Sequence, residues 1–157
     1  MPKKKTKDEK VSLKHLTDEQ VEMFKKVSRS SNLRQISLIE SSFKCELPLY
    51  FEAKKENNLE FSVGGELRFR HFDPGEADGV VFYEWEVLAK AGEDEAVKIN
   101  STYVVSYDVP ADCDEKMVLM FLEQVGRIAC YPYFRNQVSQ KSWEANIELP
   151  ILPVLST

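Results

Sequence analysis

The sequence predicts an α+β fold: a four-stranded antiparallel sheet with a long, kinked pair of C-terminal helices on one face. Three observations predict it. Four segments between residues 33 and 109 carry the apolar–polar alternation of half-buried strands. The links between the last three are short and rich in Asp, Pro and Gly, which suits an antiparallel meander. Beyond residue 112 the apolar spacing becomes helical. Strands first and helices afterwards describe a sheet covered on one side.

A short helix is expected ahead of the sheet. Thr17 and Gln20 form a capping box, and Leu16, Met23 and Val27 then share a face with Phe24 beside them. Ser30, Ser31 and Asn32 end it. In the first strand Ile36 and Leu38 are apolar at even positions, and Phe43, Cys45 and Leu47 at odd ones. The change of parity across Ile39 to Ser42 predicts a bulge or bend. The second strand alternates Leu59, Phe61, Val63, Leu67 and Phe69 with polar residues, which predicts one dry and one wet face; Gly64-Gly65 marks a bend or bulge. The third places Val81, Tyr83, Trp85, Val87 and Ala89 on one side, and the fourth Ile99, Tyr103, Val105 and Tyr107.

The link from Glu46 to Asn57 is of another kind. It is long, contains Pro48, and carries Leu47, Leu49, Tyr50 and Phe51, so it reads as an apolar crossover that must cover something or be covered. Asp112 and Glu115 suggest a second capping box. The helix after it carries Val118, Leu122, Val125 and Ala129 on one stripe, with Met117, Phe121 and Ile128 alongside. Pro132 should kink or break it near Cys130-Tyr131, with a second helical piece from Tyr133 to about Lys141. The prolines of Leu149-Pro150-Ile151-Leu152-Pro153-Val154-Leu155 make the end extended. Residues 1–15 read as a disordered basic tail, and residues 16–155 as a single domain with an added N-terminal helix over 16–30.

Composition narrows the function. The chain has 157 residues, 43% hydrophobic and 30% charged, an ordinary globular balance. A net charge of −5 is the wrong sign for gripping nucleic acid. Lys3, Lys4, Lys5 and Lys7 fit a solvated start better than a contact with nucleic acid or acidic lipid. No apolar run approaches the roughly 20 residues that span a bilayer, and none follows the basic N-terminus as in a signal peptide. Three scattered cysteines, Cys45, Cys113 and Cys130, fit free thiols in a reducing cytoplasm.

Reactive chemistry is sparse. His71 with Asp73 could pair as base and carboxylate, but a strand end running into a turn explains both. Cys130 has no histidine placed by sequence to activate it, so a packing thiol is expected. No phosphate loop and no metal-ligand cluster is visible. No cofactor, no metal and no enzymatic activity are expected. Glu60, Glu84 and Glu86 form an acidic sheet face that could meet a basic partner. Apolar residues are plentiful in the Leu47 to Phe51 run, in Tyr131, Tyr133 and Phe134, and in the terminal Leu-Pro segment. Such patches mark partner surfaces, unless the three segments bury one another.

Arg127-Ile128-Ala129-Cys130-Tyr131-Pro132-Tyr133-Phe134-Arg135, ahead of Leu149-Pro150-Ile151-Leu152-Pro153, resembles the C-terminal signature of the SecB-like chaperones. Leu33-Arg34-Gln35-Ile36-Ser37-Leu38, followed by Ser42-Phe43, is similar to that family's first strand, and the element order also agrees. The resemblance covers roughly residues 33 to 155. It implies an ATP-independent holdase, a homotetrameric dimer of dimers in the cytoplasm, with unfolded polypeptides or preproteins as clients, held for export through a translocase motor or for a dedicated partner. It places Leu47, Leu49, Tyr50, Phe51, Tyr133, Phe134, Val138 and Trp143 in a client-binding groove. It places Met117, Phe121, Gln124 and Ile128 at the oligomer interface. The added helix and the short end after the Leu-Pro segment set this chain apart from the export chaperone, whose tail contacts the translocase motor. They leave room for a relative serving a dedicated client, such as an antitoxin of a toxin–antitoxin pair. The competing reading is a small-ligand-binding or enzyme domain with a pocket closed by residues 47–57.

Overall fold

The computed structural model describes residues 15–155, so the basic segment lies outside the described residues but for its last residue. The elements run α1 (Asp18–Ser30), β1 (Asn32–Cys45), α2 (Leu47–Lys55), β2 (Leu59–Asp73), β3 (Asp78–Ala91), β4 (Asp94–Asp108) and α3 (Glu115–Ala145). The strands form one antiparallel sheet in the order β1-β4-β3-β2. β2, β3 and β4 are the expected meander, and β1 returns to pair with β4. At the β3–β4 turn Gly92 takes φ +64, a left-handed conformation that only glycine adopts freely.

Local chemistry explains each element. Thr17 Oγ1 accepts from Gln20 N, and Gln20 Oε1 accepts from Thr17 N, closing the capping box of α1. Val27 is buried, and Phe24 meets Phe121 edge-on with ring centres 6.2 Å apart. β1 shifts register between Leu38 and Glu40, at the edge of the stretch where the alternation changes parity. β2 differs from expectation. Its bulge falls between Leu67 and Phe69, not at Gly64-Gly65. Gly65 instead makes room: a Cβ there would lie 2.7 Å from Tyr83 and 3.0 Å from Trp85. The shift pairs Phe69 with Phe82 and turns it onto the helix-free face, while Phe72 is buried. Phe61 and Val63, on the expected dry face, are exposed: the cover that buries Phe72 at the far end of β2 does not reach this end of the strand.

The crossover is a helix, not a loop. Pro48 sits in the first turn of α2, where its missing N–H costs nothing, and Tyr50 and Ala53 turn inward. Asp114, not Asp112, caps α3 by accepting from Met117 N at 3.0 Å. Asp112 pairs instead with Lys26 of α1 at 2.7 Å. The two helical pieces expected around Pro132 are joined in one helix, Glu115–Ala145. Pro132 leaves the carbonyl of Ile128 without its helical donor. Burial of Cys130, Tyr131, Phe134 and Val138 on either side holds the helix through that defect. Gln137 Oε1 accepts from Ser101 Oγ at 2.5 Å and Tyr103 OH at 3.2 Å, which fixes α3 against β4. Asn146 ends the helix in a left-handed cap, φ 51.

Candidate functional site

Beyond that cap the chain continues as an extended strap, residues 147–155, along α3. Three hydroxyls hold its backbone. Tyr50 OH accepts from Glu148 N and donates to Glu148 O, both at 2.9 Å. Ser142 Oγ donates to Ile147 O at 2.6 Å and accepts from Leu149 N at 3.2 Å. Tyr131 OH donates to Pro153 O at 2.6 Å. Lys54 pairs with Glu148 at 2.7 Å, which raises the ammonium pKa and lowers the carboxyl's. Ile147 and Leu152 are buried, whereas Ile151 and Val154 are 84% and 75% exposed.

Strap and helix enclose an open groove of about 440 Å³, lined by Ile128, Tyr131, Pro132, Ile151, Val154 and Leu155, with Arg135, Asn136 and Ser139 along one rim. A second concavity of similar size lies between Arg70 and the first turns of α3, where Arg70 already pairs with Glu123 at 2.6 Å. Residues 47–57 line neither, so the expected pocket closed by that segment is not formed at either place.

The residues singled out by sequence divide into two sets. Leu47, Phe51, Tyr133 and Trp143 are exposed, Trp143 at 89%, and Leu49 is half-buried. Tyr50, Phe134 and Val138 are fully buried, so they support the surface from beneath and offer no face to a partner. At the expected interface Ile128 is exposed and Gln124 half-buried. Met117 and Phe121 are buried within the chain; Phe121 lies between Phe24 of α1 and Tyr107. Ile151 and Val154 are exposed within the terminal segment whose apolar surface the sequence marked, whereas the edge residues Leu38, Phe43, Phe61 and Val63 are apolar surface that sequence reading did not single out.

Polar groups elsewhere are largely self-contained. Burial pushes the Cys130 thiol up to about 11, and its Sγ–H donates to Gly126 O at 2.9 Å, which makes it a packing thiol. Asp73 Oδ1 accepts from Gly75 N and Glu76 N, so it builds a turn instead of orienting His71. Glu84 accepts from Arg68, Asn100 and Thr102, which hold its carboxyl below the usual range, and Glu86 lies 3.5 Å from Lys98. The acidic sheet face is therefore partly neutralised by its own cations. Among the described residues, no three His, Cys, Asp or Glu side chains converge as a metal site.

The whole arrangement superposes on a SecB-like chaperone of Mycobacterium tuberculosis, solved in complex with a ChAD peptide from the HigA1 antitoxin. The TM-score is 0.70 over 87% of this chain and 98% of that one, at 17% identity. The fold is SecB-like. A protein of unknown function from Streptococcus agalactiae matches at a TM-score of 0.35 and 12% identity, over 82% of this chain and 98% of that one. No protein-family model matches the chain, and no curated protein does. In this SecB-like fold the strap, α2 and the flank of α3 carry exposed apolar side chains on a supporting layer of buried aromatic ones. No described helix is long and apolar enough to cross a membrane.

Proposed function

We propose that this chain is an ATP-independent holdase that grips extended apolar segments of unfolded clients along α2 and α3, on the track that the strap borders. The open apolar groove beside the strap carries the reading. A holdase needs broad apolar contact and little sequence specificity, because its clients share only exposed hydrophobic stretches. The likeness to a chaperone solved with an antitoxin peptide favours a dedicated client of that kind over preproteins bound for a translocase. The groove on this reading comprises Leu47, Leu49, Phe51, Ile128 and Tyr133, with Trp143 as a further contact; the strap's Ile151 and Val154 wall it only while the strap is seated. Tyr50, Phe134 and Val138 form its floor. The working particle is a cytoplasmic homotetramer, which multiplies grooves per particle and adds avidity. Ile128 and Gln124 are the accessible members of its α3 interface.

The test is suppression of aggregation of a diluted unfolded protein, without nucleotide. Leu47→Asp with Phe51→Asp, and Tyr133→Asp alone, alter exposed side chains, and a urea unfolding curve on each separates loss of function from loss of fold. Suppression by the wild type that both variants lose is the expected result. Equal suppression by all three proteins would remove α2 and Tyr133 from the groove. Failure by the wild type would remove the holdase reading.

A further inference from the structure

The strap is built like a bound peptide. Its sequence Leu149-Pro150-Ile151-Leu152-Pro153-Val154-Leu155 repeats leucine every third residue. Burial follows the same repeat: Leu152 is 2% exposed, Leu149 and Leu155 are half-buried, and the residues between them face solvent. Three residues per turn is the period of the polyproline II helix, which makes no internal hydrogen bonds, and two prolines favour it here. A segment of that kind leaves its backbone groups for others to satisfy. Here Tyr50 OH meets both the N–H and the C=O of Glu148, Ser142 Oγ meets Leu149 N, and Tyr131 OH meets Pro153 O. Hydroxyls aimed at backbone groups, and apolar sockets taking every third side chain, grip a peptide with little regard to its sequence. The open groove between Ile128, Pro132, Ile151 and Val154 runs beside the strap on the same helix, so the strap fills only part of the available track.

We propose that the strap is an internal occupant of the client track, which an extended client with apolar residues at the same three-residue spacing displaces. The inference rests on the holdase reading and deepens it: it names the conformation and spacing of the preferred client, and a built-in competitor. When the strap is seated, only the fraction of molecules with it released offers the whole track, and apparent affinity falls by that fraction.

The test uses the full chain and a fluorescent peptide with the sequence of residues 146–157 as probe. Wild type should bind it weakly. Leu152→Asp, which places a charge in the deepest socket, should release the strap and tighten probe binding by about tenfold. Hydrogen exchange on the wild type gives a second readout that does not depend on the variant folding. Addition of probe should speed exchange at the Glu148 and Leu149 amides, because their partners Tyr50 and Ser142 pass to the probe. Slower or unchanged exchange at those amides with probe bound would overturn the proposal. So would weaker probe binding by a folded Leu152→Asp protein, since the strap would then be part of the binding surface. Aggregation suppression retained in either case would leave the holdase reading standing. A wild type that neither binds probe nor suppresses aggregation would sink both.

Discussion

Burial has stripped water from the Cys130 thiol, whose Sγ–H donates to the carbonyl of Gly126, so its neutral form is favoured and its pKa moves from 9.0 to about 11. In the window between those values the native chain holds a proton that the unfolded chain has released. The contribution to stability is complete below about pH 9 and is lost as pH rises towards 11. Burial pushes Tyr83, Tyr103 and Tyr107 the same way. The urea midpoint should therefore fall across this window, and Cys130→Ala should lessen the fall; equal slopes in both proteins would assign the effect to the tyrosines alone. Residue types at the site were legible in the sequence, but facing was not. Read as a loop, Leu47 to Phe51 is a uniform apolar run. Wound into α2, it separates: Leu47 and Phe51, four apart, share the exposed flank, and Tyr50 turns inward. The same four-residue spacing sinks Met117 with Phe121, and Phe134 with Val138. No local pattern could reveal that Tyr50 binds Glu148, because the two lie 98 residues apart.

At the scale of elements, α3 packs tightly on β3 at Gly126, where a Cβ would lie 2.6 Å from Val81 Cγ1. Two effects oppose each other when Gly126 becomes alanine. Helix propensity gains about 1 kcal/mol. The clash falls on a fully buried, branched side chain in the sheet centre, and overpacking of that kind costs about 1–3 kcal/mol. Overpacking should win or break even, so Gly126→Ala should unfold at a temperature no higher than wild type. Adding Val81→Ala removes the clashing methyls, and the pair should then couple favourably beyond the sum of the single changes. Additive effects would show that the helix has room to shift. Strand order along the chain and the dry face of β3 and β4 were readable because alternation reports burial directly. The β2 bulge was not, because Gly64-Gly65 mimics one: glycine also serves where aromatic rings, here Tyr83 and Trp85, lie across the backbone. Pro132 misled in another way, since a helix deeply packed on both sides of a proline tolerates the lost hydrogen bond.

For the molecule as a whole, β1 and β2 are outer strands of 14 and 15 residues, with Leu38, Phe43, Phe61 and Val63 exposed along them. Long apolar edges are covered in stable proteins. Light scattering on the proposed tetramer should give a mass near four chains, and Leu38→Asp with Phe43→Asp should lower it; a monomeric wild type would refute the assembly. The strand order β1-β4-β3-β2 also sets a timetable. β2, β3 and β4 close on neighbours through short turns, a fast and local search. β1 begins at Asn32, yet its partner at that end is Asp108. As the chain leaves the ribosome, the earliest strand must wait for the last one, with α1 unable to find Phe121 until later still. The proposed guardian of unfolded chains thus spends its own synthesis with its first strand unpaired, in the same predicament as those it would protect.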